Sequence, residues 1–317
     1  MIGQFPTCWV ITDGKTGTEN QCLGLAEAMG LQPIIKRIQL RMPWRWLTPF
    51  LRGGEKYAFS GSGDQLDGPF PDIVIASGRR SLPASFYIKR RSPKTFVVQL
   101  QDPHCSAALF DMVVVPEHDR LRGHNVVTTV GALNRVTPEK VRDAVSAQRE
   151  RFAHLPTPHT AILIGGKSMA YDFTDATMQA IIAQLANIPG SLLITASRRT
   201  SDVQMRMLRD FAAENPQRVW LWDGSGDNPY FALLGLGSHI VVTADSVSMI
   251  SEAAVTGKPI FVIDLPGGSA KFDRFYNGLK DRNIIRTFDG TLADWTYEPI
   301  YETQRIARIV KERMQGK

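Results

Sequence analysis

The sequence has 317 residues, of which 37 are Lys or Arg and 31 are Asp or Glu, for a formal net charge of +6. Hydrophobic residues make up 43% and charged residues 21%, which excludes an intrinsically disordered chain and is typical of a folded protein. At about 150 residues per domain, a chain of 317 residues is predicted to form two domains. The positive charge is spread out, without a basic run or a nucleic-acid-binding motif, so we predict no nucleic-acid partner.

The chain holds three cysteines, Cys8, Cys22 and Cys105. An odd number at spacings that match no zinc or redox motif predicts reduced thiols and a cytoplasmic protein. The histidines and aspartates near Cys105 also lack a recognised ligand spacing, so we predict no metal site.

Short β-branched runs alternate with helix-length segments along the first half of the chain. Most of the runs are continuously apolar, which is typical of parallel strands covered on both faces. We predict strands at residues 9–11, 34–38, 72–76, 96–100, 112–115 and 126–130, and helices at 19–29 and 138–152.

The second half restarts the same alternation, which predicts an α/β protein with two doubly wound, Rossmann-like domains. The proline-containing stretch 154–158 is the natural linker, giving an N-terminal domain over residues 1–153 and a C-terminal domain over 154–317. The predicted strands are 160–164, 191–195, 218–222, 239–243 and 259–263, and the predicted helices are 174–186, 202–214, 229–234, 246–256 and 303–314.

Ligands of doubly wound sheets bind beyond the carboxyl ends of the strands, and two such domains predict a site in the cleft between them. The first of these loops holds Asp13, Gly14, Lys15 and Gly17. Its glycines let backbone amides approach a ligand, but it is neither a dinucleotide fingerprint nor a P-loop. The loop is therefore either a ligand loop or a glycine-containing connector capped by Thr18.

Two cationic loops follow the first two strands of the second half. Their backbone amides, ammonium and guanidinium groups suit a diphosphate. The alternative is a pair of solvated arginines beside a helix cap, but two such loops at equivalent strand ends favour the diphosphate. The residues concerned are Gly165, Gly166, Lys167, Ser197 and Arg198.

A third loop leads into a helix at Asp245, Ser246 and Ser248, so that amides and hydroxyls point at one place. Glu252 lies about a turn and a half further on, where a carboxylate can accept bonds from the vicinal hydroxyls of a ribose. Because a carboxylate repels a phosphate at the same helix end, we expect Asp245 to cap the helix or to meet a sugar hydroxyl. The alternative is that Asp245 or Ser246 is only an N-cap and Glu252 only a surface residue.

The strand at 239–243 is followed by a turn of small residues, a helix that contains Glu252, and the sequence Gly257-Lys258-Pro259. This succession resembles the donor site of GT-B glycosyltransferases. More widely, the chain resembles the mitochondrial-fission "elongated mitochondria" family, which has bacterial members. The likeness extends over nearly the whole chain. It is carried by residues 13–15, 19–21, 101–103, 116–119, 197–200, 227–230, 243–253, 256–259, 271–279 and 286.

The resemblance implies a GT-B-like fold: two domains facing across a cleft, with the last helix, about 303–314, crossing back to the first. It implies a nucleotide-diphosphate sugar as donor substrate and no separate cofactor or metal, since helix ends and cations stabilise the leaving diphosphate. Asn228 and Tyr230 would border the base or the sugar, and Glu252 would hold the ribose. The expected nucleotide-sugar-binding residues are Gly165, Gly166, Lys167, Ser197, Arg198, Asn228, Tyr230, Asp245, Ser246, Ser248 and Glu252.

The catalytic base is expected in the N-terminal domain, which would present the acceptor. The GT-B enzyme of peptidoglycan synthesis has a histidine in its glycine-rich first loop, whereas residues 15–20 here contain none. Asp13, with Lys15 nearby, and His118, which has carboxylate neighbours, are the two candidates. The alternative for His118 is a loop histidine in solvent.

Residues 41–52 combine tryptophans, a phenylalanine and arginines, including Trp44, Trp46 and Phe50. This mixture suits an amphiphilic acceptor or a membrane headgroup zone, and would make a cytoplasmic protein peripheral on the inner membrane face. The alternative is a buried aromatic cluster beneath a loop.

Two other functions share the expected fold. A non-catalytic scaffold would recruit a protein partner, and a nucleotide-sugar epimerase would interconvert its substrate without an acceptor.

Overall fold

The structure is a computed structural model that describes residues 6–316. Over these residues, the chain divides into two compact units. The first takes in the chain up to Arg135 and again from Tyr301 onward, and the second is Val136–Ile300.

The first unit begins with strands and helices that alternate along the chain: β1 (Cys8–Thr12), α1 (Thr16–Ala28), β2 (Ile34–Arg37), α2 (Trp44–Leu47), β3 (Ile73–Ser77), α3 (Leu82–Arg91), β4 (Phe96–Leu100), β5 (Met112–Pro116) and β6 (Val126–Thr129). In the described part of the chain they form one parallel six-stranded sheet in the order β2-β1-β3-β4-β5-β6. Strands β1, β3 and β4 are buried throughout, because their apolar runs are covered on both faces.

The second unit repeats the alternation: α4 (Pro138–Phe152), β7 (His159–Ile164), α5 (Asp175–Leu185), β8 (Ser191–Ala196), α6 (Asp202–Glu214), β9 (Val219–Trp222), α7 (Tyr230–Leu236), β10 (His239–Thr243), α8 (Val247–Ala253), β11 (Ile260–Ile263), α9 (Ala270–Asp281) and β12 (Ile285–Thr287). Its strands, counted over residues 6–316, form a second parallel six-stranded sheet in the order β12-β11-β10-β7-β8-β9. The predicted class, α/β with two doubly wound parallel sheets, is confirmed.

Helix α4 packs against α7 of the second unit, where Val141 and Val145 approach Gly235 so closely that a Cβ there would lie 2.4 Å from the Val145 side chain. The expected first domain ended at residue 153 and therefore included α4. The structural boundary at Arg135 and Val136 instead assigns α4 to the second unit.

The last helix, α10 (Glu302–Gln315), belongs to the first unit and packs against α1. Ile306 and Val310 are fully buried in the apolar core there. The Thr303 hydroxyl donates to the Asn134 carbonyl and accepts from the Asn134 amide, each at 3.0 Å. The chain therefore returns to the first unit within a few ångströms of where it left.

Candidate functional site

The order in which the chain adds strands to the second sheet reverses between β7 and β10. Strands β8 and β9 continue on one side of β7, while β10, β11 and β12 lie on the other. The loops that leave β7 and β10 therefore diverge at a topological switch point, where open α/β sheets bind ligands. Several residues selected from the sequence lie on these loops.

Thr243, at the end of β10, links the two loops. Its hydroxyl accepts from the Gly165 amide at 2.7 Å and donates to Asp245 Oδ1 at 2.7 Å. Asp245 Oδ2 accepts from the Gly166 amide at 3.1 Å. The amides assigned to a phosphate from the sequence thus donate to a hydroxyl and a carboxylate in this structure.

Arg199, on the loop after β8, supplies the counter-charge of the buried Asp245 carboxylate. Its Nη2 donates to Asp245 Oδ2 at 2.6 Å and its Nη1 to the Gly166 carbonyl at 3.0 Å. A buried carboxylate needs such a partner, because burial removes its hydration. Asp245 is therefore neither the helix cap nor free to meet a sugar, the two positions expected for it.

The two glycines are required by this close packing. A Cβ on Gly165 would lie 2.1 Å from Asp245 Oδ1, and one on Gly166 would lie 2.2 Å from the Arg199 carbonyl oxygen. Any side chain at either position would separate the loops after β7, β8 and β10.

The cap of α8 is Ser246, whose hydroxyl accepts from the Met249 amide at 3.3 Å. Ser248 lies half-buried in the first turn. On the neighbouring loops, Ser197 Oγ accepts from the Arg199 amide at 3.1 Å, and Lys167, largely exposed, lies 3.3 Å from Asp172. Arg198 is exposed at the same edge of the sheet.

Tyr230 and Glu252, both selected from the sequence, are in contact. The Tyr230 hydroxyl donates to Glu252 Oε2 at 2.5 Å, and the Tyr230 amide donates to the Asn228 side chain at 3.0 Å. Burial raises the pKa of Glu252 to about 7. Burial, followed by the neighbouring carboxylate, raises the pKa of Tyr230 well above its usual value. Glu252 is thus a half-buried, titratable acceptor rather than a solvated surface residue.

A cavity of about 330 Å³ opens at the carboxyl ends of β10, β11 and β12. Polar side chains dominate its wall: Tyr171, Asp264, Asp273, Tyr276, Asn277 and Lys280. The Tyr276 hydroxyl donates to the carbonyl of Ala244, the residue before Asp245, so the cavity adjoins the switch point. The sequence analysis missed these residues, although the glycine pair at 267–268, just beyond β11, was a signal for a ligand loop.

The first sheet has its own switch point between β1 and β3, and Asp13 and Arg80 lie at it. Asp13 Oδ2 is 3.4 Å from both Lys15 Nζ and Arg80 Nη1. A cavity of about 220 Å³ at this point is lined by Asp13, Gln39, Arg45 and Arg80 among others. Thr18 does not cap the following helix, because its hydroxyl donates to the Lys15 carbonyl from within the first turn.

His118 lies in the turn after β5 and is buried, so the alternative of a histidine in solvent is wrong. Strand β5 is three positions from β1 in the sheet, which corresponds to roughly 14 Å. The structure brings Asp13 and Lys15 together, and it places His118 further along the carboxyl edge of the first sheet.

The aromatic residues of the first unit are divided. The Trp44 indole is half-buried and donates to the Gly53 carbonyl at 3.0 Å, whereas Trp46 is 73% and Phe50 81% exposed. The alternative of a buried aromatic cluster is therefore wrong for Trp46 and Phe50.

Among residues 6–316, no group of three or more His, Cys, Asp or Glu side chains is arranged to hold a metal ion. No helix in that same range is both long and apolar enough to cross a membrane. Cys8, Cys22 and Cys105 are free thiols, and burial raises the pKa of Cys8 to about 12.

Residues 16–314 match the model of the family described as Mitochondrial fission ELM1. The chain belongs to this family. One relative, the Mitochondrial fission protein ELM1 of Arabidopsis thaliana, is 33% identical over 285 residues, which cover 79% of this chain. The matched part is 65% of that relative's length, so the chain spans about two thirds of it.

Solved structures similar to this family member share its fold. MurG of Acinetobacter baumannii superposes with a TM-score of 0.55 at 13% identity, covering 97% of this chain and 100% of MurG. The UDP-GlcNAc 2-epimerase of Methanocaldococcus jannaschii, solved with UDP-GlcNAc and UDP, gives a TM-score of 0.53 at 10% identity, with 96% and 99% covered. At these identities the likeness establishes the fold, which is GT-B-like.

Proposed function

We propose that this chain is a GT-B-type glycosyltransferase. It binds a nucleotide-diphosphate sugar at the carboxyl edge of the second sheet and transfers the sugar to an acceptor. The observation that carries the proposal is the meeting of the loops after β7, β8 and β10 at the switch point, beside a cavity of about 330 Å³.

The charge balance at this edge suits a diphosphate. Arg199 neutralises the Asp245 carboxylate, which removes the repulsion that an unpaired carboxylate would exert on a phosphate. Lys167, which also lies 3.3 Å from Asp172, and Arg198 add two exposed cations at this edge. Hydroxyls are supplied by Ser197, on the loop after β8, and by Ser248, in the first turn of α8. A diphosphate would accept charge-assisted hydrogen bonds there, and they strengthen as it leaves with an additional negative charge.

Glu252 and Tyr230 supply a polar position for the nucleoside. A ribose hydroxyl that takes the place of the Tyr230 hydroxyl would donate to Glu252 and leave Tyr230 to bond elsewhere. Solved structures with this fold that contain nucleotides include the epimerase described above and Os79 of O. sativa, solved with UDP, which has a TM-score of 0.52.

Transfer needs a base for the acceptor. The acceptor oxygen would form a bond to the anomeric carbon, the bond from that carbon to the diphosphate would break, and the diphosphate would leave with the electron pair. The acceptor proton would pass to Asp13, which lies at the first switch point beside an open cavity with Lys15 and Arg80. His118 is the second candidate for this base.

Calorimetric titration with UDP, UDP-GlcNAc and a panel of other nucleotide sugars tests donor binding. We expect at least one to bind at pH 8, where a Glu252 carboxyl with a pKa of about 7 is ionised, and Glu252→Gln to weaken it by about tenfold or more through loss of a charged acceptor. Glu214→Gln, at an exposed glutamate that ends α6, is the matched control and should bind like the wild type. Absence of binding by the whole panel, or equal binding by Glu252→Gln, would overturn the donor site.

An epimerase is the second candidate, because UDP-GlcNAc 2-epimerases are among the structures of the same fold. Incubating a labelled nucleotide sugar without acceptor separates the two functions. An epimerase interconverts the sugar under these conditions, whereas the proposed transferase leaves it unchanged.

A scaffold that recruits a protein partner is the third candidate, because the Arabidopsis relative is named for mitochondrial fission and not for sugar transfer. It predicts that neither nucleotide binding nor turnover is needed for partner recruitment. Recruitment by the Glu252→Gln variant at the wild-type level, with no turnover by the wild type, would support it over transfer.

A further inference from the structure

Residues 41–57 of the first unit, called here the aromatic loop, expose apolar side chains to solvent. Trp46 is 73% and Phe50 81% exposed. The other exposed apolar side chains of the loop are Met42, Leu47 and Tyr57. Five large apolar side chains exposed within 16 residues are unusual for a surface that faces only water.

The loop is held in shape from both ends and from within. Leu40 and Phe59 form an antiparallel bridge, and the Arg41 amide donates to the Ala58 carbonyl at 2.8 Å. The Trp44 indole bonds to the Gly53 carbonyl. The exposure of Trp46 and Phe50 is thus imposed by a closed and hydrogen-bonded loop, which reduces the ordering cost of binding.

The exposed charges of the loop have one sign. Residues 41–57 are all described by the structure, and their exposed charged side chains are those of Arg41, Arg45, Arg52 and Lys56. The single acidic residue of this stretch, Glu55, is buried and accepts from Arg90 at 2.6 Å. Any surface that covers the loop must therefore tolerate four positive charges as well as aromatic rings.

We propose that the aromatic loop docks on an anionic lipid bilayer. Trp46 and Phe50 enter the boundary between headgroups and acyl chains, where aromatic side chains are favoured. The four cations remain at headgroup level beside the lipid phosphates. Arginines together with the exposed rings of Trp46 and Phe50, and no exposed carboxylate within residues 41–57, match this boundary better than an acidic protein groove. The loop lies in the first unit, so the inference does not depend on the nucleotide site of the second.

Vesicle flotation of the full chain tests the proposal. The vesicles contain phosphatidylcholine alone or phosphatidylcholine with about one third phosphatidylglycerol, at low and high salt. We expect the protein to float with the anionic vesicles, to bind neutral ones much more weakly, and to be released as salt screens the cations.

Two pairs of variants separate the apolar and charged contributions. Trp46→Ala/Phe50→Ala should lower partitioning by about tenfold or more, while Met169→Ala, at a fully exposed methionine of the second unit, should not change it. Arg41→Gln/Lys56→Gln should lower it roughly 25-fold, since each basic side chain near an anionic surface contributes about fivefold. Arg206→Gln/Arg209→Gln removes the same charge from exposed positions of α6 and is the control.

Quenching by brominated lipids reports insertion directly. Wild-type tryptophan fluorescence should be quenched more strongly than that of Trp46→Phe, which retains an apolar ring at this position. The proposal is overturned if anionic vesicles do not carry the protein, if neutral vesicles bind it equally, or if the loop variants bind like their controls. Absence of flotation is also the result expected for a loop that docks on an acidic protein.

Discussion

At the scale of single residues, Glu252 makes the stability of the folded protein depend on pH. Its pKa of about 7 in the folded protein exceeds that of an unfolded glutamate, near 4.5, so folding favours the protonated carboxyl. The stabilisation is complete below about pH 4.5 and is lost as the pH rises through about 7, with a total on the order of 3 kcal/mol. Urea unfolding of the wild type and Glu252→Gln at pH 5 and pH 8 measures it. The wild type should lose more stability than the variant, and parallel losses would contradict the raised pKa.

Arg199 is the second residue with a specific expected effect. Arg199→Met leaves the buried Asp245 carboxylate without its counter-charge and should lower the free energy of unfolding by about 2–4 kcal/mol. Arg199→Met/Asp245→Asn should recover part of this loss, because the uncompensated charge is gone. Chemical denaturation checks both, with Arg198→Met as the neighbouring control. Equal effects of the two single substitutions would show that the ion pair has no special role.

At the scale of elements, the end of α7 depends on a lysine from another segment. Lys258 Nζ donates to the carbonyl oxygens of Leu234, Gly235 and Gly237 at 3.0, 2.5 and 2.6 Å, and burial lowers its pKa to about 8. Lys258→Met removes these donors and should destabilise the protein by about 2–4 kcal/mol. Denaturation of this variant beside Lys311→Met, at an exposed position of α10, measures the effect. The surface substitution should change stability by less than about 0.5 kcal/mol.

Strands β1 to β11 could be predicted, most of them because buried parallel strands are continuous apolar runs that need no knowledge of their neighbours. Helices α3 and α9 were missed for different reasons. Helix α3 buries most of its first seven residues and ends in Lys89, Arg90 and Arg91, so little apolar periodicity marks it. Helix α9 is amphipathic, and its buried pair Phe275 and Leu279, one turn apart, was a signal that the sequence analysis did not use. The strand β12 has three residues and was also missed.

The candidate site was predicted at the level of loops but not of atoms. The glycines and the serine-rich helix start were visible in the sequence, and their strand ends do adjoin. Which of two adjacent arginines turns inward depends on the path of the loop after β8, and the structure selects Arg199. The Tyr230–Glu252 contact joins residues 22 positions apart and follows only from packing.

At the scale of the whole molecule, the two units differ in how the chain builds them. The second is one continuous stretch, 136–300, while the first needs both 1–135 and α10. A fragment of residues 136–300 should therefore unfold cooperatively by itself, and a fragment of residues 1–153 should not. Joining 135 to 301 through a short Gly/Ser linker should restore folding of the first unit, because Thr303 already contacts Asn134. Circular dichroism during urea unfolding measures the cooperativity of each fragment. Cooperative unfolding of the 1–153 fragment would contradict this division.

The discontinuity of the first unit also sets an order during synthesis. On the ribosome, the strands of the first sheet emerge early, but Ile306 and Val310 arrive only after the entire second unit has been translated. At 5–20 residues per second, roughly 10–30 s separate residue 135 from α10. Throughout that interval, the apolar surface of α1 that α10 covers in the folded protein remains exposed. We therefore expect residues 1–135 to be the part of the nascent chain that most depends on chaperone protection.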